Sequence, residues 1–146
     1  MAGVYQFNKK SDVWETPWQI YRNACLSYNI KPVLDVCATM DTTKCKKFFT
    51  KYDDGLRQKW DIDFFCNPPY SEDKIWIEKC HNESIENKVN GMALIFAKVD
   101  VSWWHEFIEG KAEVHNQRKR IRFLYNGKQL AGAPRPSCWV IWRNRK

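Results

Sequence analysis

Apolar residues in this chain gather in short runs, separated by stretches in which they recur every three or four positions. Residues 33–37, 62–66, 92–97 and 137–142 are the runs, each of strand length and the third fully apolar, as in strands covered on both faces. Trp18, Tyr21, Cys25 and Tyr28 keep helical spacing, with Thr16 as the N-cap, Pro17 at the first helical position and Gln19 at capping-box distance. Ser71, Glu72 and Asp73 open a second helix that runs to about Val89 and is broken by Gly91. Trp103, Trp104, Phe107 and Ile108 line one side of a short third helix. Residues 113–115 and 121–125 alternate like strands, with turns at Gly127 and across 132–136. Residues 39–60 carry no clear period around the turn-like Asp53-Asp54-Gly55. Strand, helix, strand, helix and then clustered strands predict an α/β sheet with helices on both faces and antiparallel edge strands at its C-terminal end. Ligands of such sheets bind beyond the carboxyl ends of the strands, where Asp35 and Asn67 fall.

Composition narrows the class. The 146 residues suit a single compact domain over 1–146, with a loose arm at 1–10 and no room for a large separate recognition domain. Hydrophobic residues at 44% and eight tryptophans argue for a folded chain rather than a disordered one. No apolar run reaches the roughly 18 residues of a membrane span, and the start of the chain lacks a signal peptide's apolar stretch, so a cytoplasmic protein is expected. Cys25, Cys37, Cys45, Cys66, Cys80 and Cys138 form no C-x-x-C pair and read as reduced thiols, with no spacing that supports a metal site. Charge is uneven. Residues 116–146 hold nine of the Lys and Arg residues and no carboxylate, which leaves the remainder at −2. A near-neutral body with a basic segment has the footprint of a nucleic-acid partner, and a plain solvated face is the other reading.

Chemistry concentrates at Asn67-Pro68-Pro69-Tyr70, directly after the run 62–66. Two prolines stop the strand, because each ring fixes φ and removes a backbone donor. The stiff turn offers the Asn67 side-chain carbonyl and the Pro68 backbone carbonyl as acceptors, with the Tyr70 ring beside them as a flat wall. That set suits a planar group with an exocyclic NH2: the N6 amino group of adenine or the side-chain amide of glutamine.

The tetrapeptide belongs to a collinear set. SDVWETP at 11–17, LDVCA at 34–38, DDGL at 53–56 with Trp60, CNPPY at 66–70 and APRPS at 133–137 together resemble the short phage and prophage DNA N6-adenine methyltransferases. The resemblance implies a small Rossmann-like fold, S-adenosylmethionine as methyl donor, and adenine in DNA, flipped from a duplex or in a single strand, as acceptor, in a restriction-modification setting. It implies catalytic roles for Asn67, Pro68, Pro69 and Tyr70, with Tyr70 stacking on the base. It places Trp14, Thr16 and Pro17 in an N-terminal cofactor motif and Asp35, Cys37 and Ala38 in the first cofactor motif, with Asp54 facing the donor's ribose or adenine. Lys98, Arg118, Lys119, Arg120, Arg122 and Arg135 fall on the DNA side. One departure stands out: no glycine occurs between Gly3 and Gly55, so Ala38 takes the place of the glycines that the wider methyltransferase pattern has after this strand. Two other readings remain open at this point, a protein glutamine methyltransferase and a nucleic-acid-binding module of the same fold with weak turnover.

Overall fold

The computed structural model describes residues 10–144. The arm expected over 1–10 lies, but for Lys10, outside the described residues, as do Arg145 and Lys146 of the basic segment. A 3-10 turn over Lys10–Val13 leads into helix α1 (Trp18–Tyr28), then come strands β1 (Leu34–Asp35), β2 (Lys47–Phe48) and β3 (Phe64–Cys66), helix α2 (Asp73–Glu86), β4 (Gly91–Phe96), helix α3 (Ser102–Phe107), β5 (Glu113–Asn116), the hairpin β6 (Leu124–Tyr125) and β7 (Lys128–Gln129), and β8 (Ser137–Trp142). Six strands form one mixed sheet in the order β2-β1-β3-β4-β8-β5. The first four are parallel neighbours, and β8 runs antiparallel to both β4 and β5.

Alternation along the central strands builds two layers. Phe64, Cys66, Ala93, Ile95, Cys138, Val140 and Trp142 face α2 and α3, where Trp60, Trp76, Trp104 and Ile108 complete the core. Phe65, Met92, Leu94, Phe96, Trp139 and Ile141 face α1, which contributes Tyr21 and Ala24. Because every residue of β4 and β8 is buried, β4 reads as an unbroken apolar run and β8 as one with only Ser137, at its start, polar. Among the described residues no helix is long and apolar enough to cross a membrane, and none of the six cysteines is in a disulfide.

Several local expectations are corrected. Thr16 does not cap α1: Pro17 is the N-cap, with φ −58 and ψ 138, so the helix opens one residue later and Thr16 lies too far back to reach its amides. Gln19 bonds forward to Asn23 instead of back to the cap. Helix α2 ends at Glu86, because Lys88 turns into the left-handed region at φ 56 before Gly91 is reached. Gly91 breaks no helix. It opens β4, where a Cβ would overlap the Phe64 ring of the neighbouring strand. Of residues 121–125 only Leu124 and Tyr125 pair as strand, and they pair with β7 outside the main sheet, because Ile121 and Phe123 turn into the α1-side core. In the stretch without a clear period, Lys47–Phe48 adds the outermost parallel strand.

Candidate active site

The parallel strands end at a common edge, and β3 delivers Asn67 there. Pro68 and Pro69 are buried behind it, and a 3-10 turn over Tyr70–Glu72 carries the chain into α2. The Asn67 amide is held at both ends: Nδ2 donates to the Trp14 carbonyl at 3.0 Å, and Oδ1 accepts the Tyr70 hydroxyl at 3.0 Å. With two lone pairs, Oδ1 retains capacity for a second donor. The Tyr70 ring is not an open wall. It is 7% exposed, stacked on Phe96 at 4.4 Å between centroids, and met edge-on by Phe123 at 5.9 Å. Burial, with Cys66, Cys138 and Asp73 nearby, pushes its hydroxyl well above the ordinary tyrosine range, so it stays a donor.

A narrow cleft of about 40 Å³ opens beside Asn67, lined also by Asp12, Trp14, Cys37, Ala38, Thr39 and Thr42. Three residues that the sequence assigns to the donor thus meet the proposed acceptor at one place. Larger hollows of about 580 and 460 Å³ lie at the opposite, amino edge of the sheet, against Trp142 and against Leu34.

Asp35 stands at the end of β1, fully buried. Its Oδ2 accepts the Lys44 amide at 2.9 Å and its Oδ1 the Cys37 amide at 3.4 Å, which pins the loop 39–45 to the strand. Burial pushes the carboxyl up to about 7, against the pull of those two amides and of the Lys44 charge. The Lys44 ammonium, with a side chain 1% exposed, donates to Glu15 Oε2 at 2.9 Å and to the Thr42 carbonyl, and lies 4.5 Å from the Trp18 ring. Gly55 packs on the end of β1 so closely that a Cβ would overlap the Val36 carbonyl. No Cβ fits at this position, so the loop that carries Asp54 packs directly on the end of β1. Asp54 beside it has φ 56 and a buried Oδ1 with no hydrogen-bond partner among the described residues, and Thr16 Oγ1 and Ser137 Oγ are likewise buried without one; none of the three residues lines the cleft beside Asn67. Unpartnered buried oxygens are costly unless a ligand completes them, and the ribose hydroxyls and amino groups of a nucleoside-type methyl donor are hydrogen-bond donors that fit that need.

The basic residues divide. Lys98, past the end of β4, is ion-paired to the buried Asp73 at 2.7 Å, while Arg118, Lys119, Arg120, Arg122 and Arg135 are exposed on the excursion between β5 and β8. Arg120 and Arg122 brace that excursion through the Ala133 and Leu130 carbonyls. Its root joins the site: Glu15 and Leu124 exchange backbone bonds at 2.8 and 2.9 Å, and Trp14 stacks on Phe123 at 5.3 Å.

Sequence reasoning missed Asp12 and Lys44. Asp12 takes both Ser71 donors, the amide at 2.9 Å and the hydroxyl at 2.7 Å. Its fixed spacing from Trp14 within SDVWETP was a signal, whereas nothing in the polar stretch 39–60 marked Lys44 as buried.

The sequence model of the DNA N-6-adenine-methyltransferase (Dam) family matches residues 5–146. A DNA N-6-adenine-methyltransferase of Haemophilus phage HP1 (strain HP1c1) is 30% identical over 140 residues, 92% of this chain and 81% of the phage protein. A second, from Escherichia phage T1, is 28% identical over 105 residues, 70% of this chain and 43% of that protein. With a family match over nearly its whole length, the chain belongs to the DNA N-6-adenine-methyltransferase (Dam) family.

Proposed function

We propose that this protein transfers a methyl group from S-adenosylmethionine to the N6 amino group of adenine in DNA, on a small Rossmann-like sheet that forms one catalytic domain. The observation that carries the reading is the position of Asn67: at the carboxyl end of β3, in one cleft with Trp14, Cys37 and Ala38 at the end of β1. The two relatives, both named for adenine N6 methylation, favour that acceptor over a glutamine amide.

Trp14, Cys37 and Ala38, which line the cleft, would hold the donor together with the buried oxygens of Asp54 and Thr16, while Asp35 and Pro17 shape the backbone behind them; the donor supplies an electrophilic methyl on a sulfonium. Asn67 Oδ1 and the Pro68 carbonyl accept the two N–H groups of the adenine amino nitrogen. Those bonds draw its lone pair out of the ring and fix the nitrogen in the cleft, and such positioning supplies much of the rate. No covalent intermediate is needed, so Cys66, fully buried and pushed well above the ordinary thiol range by burial and by Cys80, has no nucleophilic role. Tyr70 has Phe96 stacked on one face and Trp14 and Phe123 tilted or edge-on against it, so a base that stacks on Tyr70 has to displace part of this aromatic packing on entry.

The exposed arginines and Lys119 between β5 and β8 are the phosphate contacts, because their excursion is anchored to Trp14, whose carbonyl holds Asn67. A phage-type enzyme of this kind works in the host cytoplasm, which suits six cysteines held outside disulfides. Transfer of radiolabelled methyl to unmethylated duplex, followed by nucleoside analysis, tests the proposal. N6-methyldeoxyadenosine is the expected product; label in cytosine, or in a glutamine peptide in preference to DNA, overturns it.

A further inference from the structure

Asp12 is 5% exposed and lies across the catalytic turn from the strand that delivers it. Its two carboxylate oxygens take the two donors of Ser71, at 2.9 and 2.7 Å. Two residues later in the chain, the Trp14 carbonyl accepts Asn67 Nδ2 at 3.0 Å. Three hydrogen bonds thus strap segment 12–14 to segment 67–71, one at Asn67 and two at Ser71.

The strap has a chemical consequence for Asn67. A side-chain amide has two unlike ends, and only the oxygen end suits an acceptor for an amino group. The Trp14 carbonyl can receive only the NH2 end. While it stays in place, Oδ1 is turned away from it, toward the Tyr70 hydroxyl. Asp12 keeps Trp14 in place, because a buried carboxylate with two charge-assisted bonds fixes the two-residue link to Trp14. We infer that Asp12 is a positioning residue that sets which end of the Asn67 amide faces the substrate. The inference rests on Asn67 being the acceptor of the adenine amino group.

A motif residue with two equivalent oxygens does not need this help. Asn67→Asp supplies one, and a double-mutant cycle uses that difference. In the wild-type background Asp12→Ala is expected to lower kcat about tenfold or more, with KM for DNA and for the donor moved less than about threefold. In the Asn67→Asp background the same change is expected to cost less than about threefold, because no flip remains to be prevented and a repulsion between the introduced carboxylate and the Trp14 carbonyl is relaxed. Equal losses in the two backgrounds overturn the inference, as does an Asp12→Ala enzyme within about threefold of wild type. Ser71→Ala, which removes only the hydroxyl donor, should lower kcat in the same direction by less. A fall in melting temperature with kcat per folded molecule intact marks a merely structural role and also overturns it.

Isotope-edited NMR of the Asn67 side-chain amide gives a readout that needs no turnover. Slow solvent exchange of its bonded proton in wild type and fast exchange in Asp12→Ala are expected, and slow exchange in both contradicts the strap. Retained turnover in Asn67→Ala is a separate result that removes the acceptor assignment itself. An inactive Asn67→Ala beside a fully active Asp12→Ala removes only the strap.

Discussion

Asn67 and Asp35 sit at the ends of adjacent parallel strands, yet their neighbours put them to different uses. Asn67 keeps an acceptor lone pair toward the cleft, while Asp35 spends both oxygens on the amides of Cys37 and Lys44. Enclosure of that carboxyl raises it from the ordinary 3.8 to about 7, and stability should follow. The folded protein binds the Asp35 proton more tightly than the unfolded chain does. The contribution is therefore whole below about pH 4 and is lost as the pH rises through about 7. Thermal unfolding of Asp35→Asn across this range should show a flatter profile than wild type, and a wild-type profile already as flat contradicts the assignment. At this scale the sequence was informative where a residue's type is unusual for its place, as with an amide before two prolines. It presented Tyr70 as an open wall and carried no sign of its burial against Phe96, which depends on β4 arriving alongside, nor of Lys44, which is buried only because Glu15 and Trp18 come from a distant segment.

Elements with every position buried were legible, because a strand covered on both faces has few polar residues to confuse it. Strands β3, β4 and β8 follow that rule. Strand β2 does not: two residues, one exposed and one half-buried, leave no pattern to read. Ile121, Phe123 and Tyr125 alternate like a strand, but the first two serve as feet that plant the basic excursion on the α1-side core. Beyond them β6 and β7 close through Asn126 and Gly127, both at positive φ, a two-residue turn that needs no further support. A stiff, exposed, basic element rooted beside Asn67 should carry the salt dependence of DNA binding. Each phosphate contact contributes a log-log slope of about −0.9. Replacing Arg118, Lys119, Arg120 and Arg122 with Ala should flatten the slope by several such increments and raise KM for DNA far more than KM for the donor. An unchanged slope would return this segment to a solvated face.

Across the whole molecule, three bodies of structure converge on residues 12–15. The catalytic turn is strapped to Asp12 and Trp14, the loop 39–45 is tied to Glu15 through Lys44, and the basic excursion is joined through Leu124 and Phe123. The α/β architecture and the cleft at its carboxyl edge were foreseeable from the order of runs. The convergence was not, since it depends on contacts between residues 29 or more positions apart in the chain. Every role assigned around the cleft depends on Asn67 as the acceptor. Single-turnover methyl transfer to duplex DNA, with S-adenosylhomocysteine binding measured by calorimetry on the same samples, compares wild type with Asn67→Ala most directly. The predicted result is unchanged affinity for the donor product and a transfer rate lower by about 100-fold, the usual loss for a positioned polar group. A rate within about threefold of wild type would contradict the assignment of this turn as the cradle of the adenine amino group.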